Sequence, residues 1–165
     1  MGVAVGGSVR NVVATLMLAV LAVPHWAVGQ GTEKGQAICY QIEKTVNALV
    51  DYTQTSCIPT RGMAANSQSF IVLSSQPVFS VETSKKAWIL VAVAATGDAL
   101  NKSGSVKADE LWLSDANQMK ARTAYVMPVS LARNLHRQVK AEQISLDEMY
   151  GQIIRNLSQR NIPKK

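Results

Sequence analysis

Residues 87–96, Ala-Trp-Ile-Leu-Val-Ala-Val-Ala-Ala-Thr, are apolar at every position but the last. A run with no polar face belongs where both of its sides are covered, and short runs of this kind bounded by turn formers read as central strands. On this reading the run is the middle of a sheet, with a helix on one side and a second layer or a partner on the other. The segments around it are read in the same way. Residues 69–73 and 78–83 are short β-rich runs separated by Ser74-Ser75-Gln76-Pro77, and Ser84-Lys85-Lys86 turns the chain into the apolar run. Residues 106–114 alternate, with Val106, Ala108, Glu110 and Trp112 on one face and Lys107, Asp109, Leu111 and Leu113 on the other. Residues 121–127 form a fifth strand.

Helical spacing flanks these strands. Ile38, Cys39, Ile42, Val46, Leu49 and Val50 recur with a period of 3.6 and predict an amphipathic helix over 34–52. Residues 56–68, with Pro59, Gly62 and several small polar residues, show neither period and read as a loop. After the strands, Ser130 heads a helix carrying Leu131, Leu135 and Val139. Ser145-Leu146-Asp147-Glu148 then has the capping-box pattern before Met149, Tyr150, Ile153 and Ile154. The expected fold is α+β: an N-terminal amphipathic helix, an antiparallel meander of about five strands and two C-terminal helices, with residues 161–165 as a frayed tail.

Residues 1–29 read as a secretory signal peptide. Arg10 precedes an apolar run over 12–23, Pro24 ends it, and the small residues Ala27 and Gly29 place cleavage before Gln30. The alternative is retention as a membrane anchor through residues 11–29. Cys39 lies too far beyond the apolar run for a lipoprotein site, and no arginine pair precedes that run. The expectation is a periplasmic or secreted protein whose residues 30–165 form a single domain. Cys39 and Cys57 are then the only cysteines, and an oxidising compartment favours a disulfide between them.

The chain carries 17 Lys and Arg against 11 Asp and Glu, a net charge of +6. This charge favours anionic partners without choosing among them. Much of the excess lies after residue 128, where Arg133, His136, Arg137 and Lys140 form a candidate interaction face on one helix. Trp88 and Trp112 read as core residues that become contact aromatics if a sheet face is open. No metal, cofactor or nucleotide site is expected, because there is no Cys-x-x-Cys or His-x-x-x-His spacing and no phosphate-binding glycine loop. His136 is the one histidine beyond the leader. Asp109-Glu110 point to opposite faces of a strand, Asp147-Glu148 are explained by capping, and Glu82 and Asp98 stand alone, so no catalytic set is read. Asn156-Leu157-Ser158 matches a glycosylation pattern within an expected helix.

The expected function is that of an exported non-catalytic protein. It would act through a protein partner or an anionic envelope surface, as an accessory or assembly component of the bacterial cell envelope, with no nucleic acid expected. The alternative is a periplasmic protein that holds a small apolar ligand between the sheet and the first helix, in room left by Ala92, Ala94 and Ala95. An enzyme of unrecognised type is the third reading.

Overall fold

The structure is a computed structural model, and it describes residues 32–104 and 106–162. Residues 1–29, with their signal-peptide and anchor readings, lie outside these residues. Among them are five α-helices and a five-stranded mixed sheet. In chain order the elements are α1 (Glu33–Leu49), β1 (Thr55–Arg61), β2 (Gln68–Ser74), a 3-10 turn (Val78–Ser80), α2 (Glu82–Lys102), β3 (Ala108–Ser114), α3 (Ala116–Ala121), β4 (Thr123–Pro128), α4 (Val129–Lys140), α5 (Leu146–Asn156) and β5 (Ser158–Asn161). The α+β class is as expected, and four of the expected segments differ.

The apolar run at 87–96 is the middle of α2, not a strand. Periodicity cannot separate a buried strand from a buried helix, so length decides. Here 21 residues from Glu82 to Lys102 continue without a Pro, five of them alanine, the best helix former. Residues 78–83, read as a strand, instead form the 3-10 turn and the start of this helix. Residues 56–68, read as a loop, contain all of β1 but Thr55 and the first residue of β2, and β1 tolerates Pro59 because it is an edge strand.

These changes alter the sheet. The strands lie in the order β1-β2-β3-β4-β5, all neighbours antiparallel except β2 and β3, which run parallel. A parallel pair needs a crossover, and α2 supplies it. The sheet is therefore not the meander expected from sequence. The last strand, β5, includes Asn161, which the frayed-tail reading had left without structure.

Every residue of β2 is buried. Phe70 and Val72 face the helices, where they join Ile42 and Val46 of α1, Trp88, Ile89 and Val93 of α2, Leu111 and Leu113 of β3, Leu135 of α4 and Ile153 of α5. Ile71 and Leu73 form a smaller cluster with Ile58, Trp112 and Met119. Asp115 is buried and fully used: one carboxylate oxygen caps α3 through the N–H groups of Asn117 and Gln118, and the other accepts from the N–H of Phe79. The capping box at the start of α5 is formed as the sequence reads it.

α1 is fastened along β1 by residues spaced four apart, which share one helix face. Cys39 is bonded to Cys57, with Cα atoms 5.0 Å apart. Glu43 accepts from the N–H of Cys57 at 2.6 Å. Asn47 accepts from the N–H of Thr55 at 2.7 Å and donates to its carbonyl at 2.9 Å. At the other end Gly35 lies against Gln68 and Pro59, where a Cβ would collide with the Gln68 amide. Closing the 18-residue separation between the cysteines is worth about 3 kcal/mol in the chain-entropy account. Reduction, or Cys39→Ser with Cys57→Ser, is expected to lower the unfolding free energy by about 2–4 kcal/mol in urea titration, and an unchanged midpoint would contradict this role.

Gly97 marks the closest approach of α2 to α4. A Cβ there would strike the Ala132 carbonyl and come within 2.6 Å of the His136 Cβ. Backbone cannot yield as a side-chain end can, so Gly97→Ala is expected to destabilise by about 1–2 kcal/mol despite its better helix propensity. Gly151→Ala serves as the comparison. Its Cβ would meet nothing closer than 3.5 Å within α5, and it is expected to be neutral or stabilising by up to about 1 kcal/mol.

Candidate functional site

α2 is apolar on all sides, and only three of those sides are covered. The sheet lies beneath it, α1 packs on one flank and α4 on the other. Its outward row is Ala87, Leu90, Val91, Ala94 and Asp98, the spacing of one helix face. Over this row lies a groove of about 510 Å³, walled by Thr45 and Leu49 of α1, Leu146 at the start of α5 and His136 of α4. Leu49 is 69% exposed and Leu146 57%, so both walls are apolar side chains standing in solvent. A helix with no polar face is normally surrounded by protein, and here the fourth side is open.

Polar groups mark the two ends. At the N-terminal end of α2, Lys86 donates to Asp147 at 2.6 Å and sits 5.6 Å over the Tyr150 ring. The Lys86 ammonium holds the Asp147 carboxyl below the usual range. The Tyr150 hydroxyl donates to Glu82 at 2.9 Å, and burial together with that carboxylate pushes its pKa up to about 12. At the C-terminal end, Asp98 accepts from Lys102 at 2.6 Å and faces the His136 Nε2 at 3.5 Å.

Hydrogen bonding fixes the state of His136. The Asn101 side-chain nitrogen lies 3.2 Å from both the Arg133 carbonyl and the His136 Nδ1. The carbonyl can only accept, so this nitrogen is the donor, and Nδ1 is the acceptor. The ring proton then resides on Nε2, towards Asp98. With its side chain 18% exposed, the imidazole ties α2 to α4 through Asn101.

The residues singled out from sequence are dispersed by the fold. Arg133 donates to the Val106 carbonyl at 2.8 Å, and His136 is engaged as described. Arg137 and Lys140 are the exposed members of that face. Trp88 is 0% exposed, with its indole N–H on Thr55 and its ring edge-to-face with Phe79. Trp112 is half-buried on the other side of the sheet and donates to Glu110, which also binds Arg160 at 2.7 Å. Asp109 accepts from Ser67 and from the Ala64 N–H, and these bonds lower its pKa. Their contribution is therefore present above the ordinary carboxylate pKa and is lost as pH falls through the lowered one. Ala92 is in the core, whereas Ala94 and Ala95 line the groove. Room therefore lies on the outer side of α2.

Asp98 and Asn101 were missed as site residues, and their signal was the helical period of 87–98. Once that segment is a helix, Asp98 continues the row Ala87, Val91, Ala94. Among the described residues no cluster of three or more His, Cys, Asp or Glu is arranged to hold a metal, and no helix is long and apolar enough to cross a membrane. Comparison with protein-family models, curated proteins and solved structures finds no match.

The tautomer is directly measurable. Long-range ¹⁵N–¹H spectra of the neutral ring are expected to show His136 protonated at Nε2, and Asn101→Ala is expected to bring in the Nδ1–H form. A wild-type ring protonated at Nδ1 would contradict the assignment.

Proposed function

We propose that this chain is an exported binding protein with no catalytic chemistry of its own, an accessory or assembly component of the bacterial cell envelope, and that the groove over α2 is its working surface. The observation that carries the reading is the open apolar side of α2 between Leu49 and Leu146. Contiguous exposed apolar surface of this kind marks interaction sites in soluble proteins. The Cys39–Cys57 disulfide supports export, since such bonds persist in oxidising compartments. Arg137 and Lys140, exposed on α4, give the molecule a basic edge suited to an anionic partner or surface.

The second reading, a small apolar ligand, draws on the same groove, whose volume of about 510 Å³ is within the range of small-molecule sites. The two readings separate in the host. A photo-crosslinking residue in place of Leu90 is expected to give a protein-sized adduct, lost in Val91→Glu and weakened in Arg137→Glu with Lys140→Glu. An adduct of small-molecule mass would favour the second reading. Crosslinking indifferent to Val91→Glu would remove the groove from both.

A further inference from the structure

We propose that the turn between α4 and α5 opens into one continuous helix, and that two copies of this chain exchange α5 and β5 through it to form a dimer. The proposal goes beyond the binding-protein reading and does not rest on it.

The turn is made of residues that favour a helix. Residues 141–145, Ala-Glu-Gln-Ile-Ser, join α4 to α5. Ala, Glu and Gln are strong helix formers, and no Gly, Pro or Asn occurs between Asn134 and Gly151. The chain nevertheless closes α4 with two hydrogen bonds, from the Gln143 N–H to the Gln138 carbonyl at 2.9 Å and from the Glu142 N–H to the Val139 carbonyl at 3.0 Å. This closure holds Glu142 at φ 55°, in the left-handed region where a helix end usually carries glycine. Straightening the turn into helix relieves that residue.

The apolar pattern runs through the turn without a break. Ala132, Leu135 and Val139 of α4 and Leu146, Met149 and Ile153 of α5 fall in one register of alternating threes and fours, with Glu142 as the rung between them. Two helices that merely meet at a turn need share no register. Leu146 is 57% exposed, although Met149 and Ile153 of the same stripe are 0% exposed. In the open form residues 129–156 make one helix about 42 Å long, and exchange about a two-fold axis at the turn brings the two Leu146 side chains together.

Exchange keeps the contacts that hold α5 and β5. Met149 and Ile153 fill the same core, Asp147 and Tyr150 reach Lys86 and Glu82, and β5 pairs with β4, each supplied by the other copy. The balance then rests on the turn and on protein concentration. Against the relief of Glu142 stand the capping box of Ser145 and Glu148 and the partial burial of Ile144, both lost in a continuous helix. A lost cap and a left-handed residue cost similar amounts, so monomer and dimer lie close in free energy.

The test uses the chain as its host processes it. Concentrated protein is brought to its urea midpoint and returned to buffer, with enough salt to screen the charge of +6 on each copy. Size exclusion with light scattering is expected to show a dimer whose fraction grows with the concentration at refolding. Ser145→Ala is expected to raise the association constant at least about tenfold, because the wild-type dimer forgoes two caps. Glu142→Gly, which suits the left-handed position and weakens the open helix, is expected to lower it at least about tenfold. Circular dichroism confirms that each variant is folded. Thr123 and Asn161 face each other across β4 and β5. Thr123→Cys with Asn161→Cys, oxidised after the dimer has formed, is expected to join the two chains, seen as a two-chain band on a non-reducing gel.

A monomer at every concentration, in both wild type and Ser145→Ala, overturns the proposal. So does a dimer whose new cysteines close within each chain, because copies that only touch leave α5 and β5 in place. A dimer fraction that neither Ser145→Ala nor Glu142→Gly moves overturns it as well. None of these results alters the crosslinking from position 90, which tests the binding-protein reading on its own.

Discussion

The contact between α1 and β1 is the joint on which the rest of the structure depends. Gly35, Cys39, Glu43 and Asn47 occupy one face of the helix, and each meets the strand or its neighbour in a different way: close approach, covalent bond, charged acceptor and paired amide. The spacing of four keeps these residues in one row, and the row fixes the helix against the sheet in both position and rotation. Ile38, Ile42 and Val46 are thereby turned into the core, where they meet Phe70 and Val72. Leu49, on the same helix, is left outside as a wall of the groove. The joint that builds the core also shapes the candidate site.

The sequence was most legible where a local signal and the tertiary contact agree. The first helix, the capping box at Ser145 and Glu148 and the strand that ends in Trp112-Leu113-Ser114 carry their cause within a few residues, and the disulfide was legible because Cys39 and Cys57 are the only two cysteines. It was least legible at α2. A helix packed on three sides loses the polar stripe that would reveal its period, and what remains looks like a central strand. Misreading that one segment hid the parallel pairing of β2 with β3, and with it the groove. β1 was obscured for another reason. Its backbone donors are satisfied by side chains of α1, so Pro59 and the polar residues around it are tolerated where a central strand would exclude them.

The candidate site follows from the same economy of surfaces. Small side chains at 92, 95 and 97 let α1, α4 and the sheet close around α2, and Gly97 in particular lets α4 lie against it. His136 and Asn101 then join the two helices through polar contacts at the rim. The basic residues of α4 are consequently divided: Arg133 serves the fold, while Arg137 and Lys140 face solvent.

The outer edge of β1 has a further consequence. Its donors at 55 and 57 are taken by Asn47 and Glu43, and the next residue of that parity is Pro59, which has none. Another strand therefore finds no free backbone donor at 55, 57 or 59 along that side. At the far side β5 is four residues long, polar and followed closely by Pro163-Lys164-Lys165, all features that discourage strand addition. Growth of a fibril requires two reactive ends on every unit. A molecule with one end sealed can join a neighbour once, but it terminates any chain it enters.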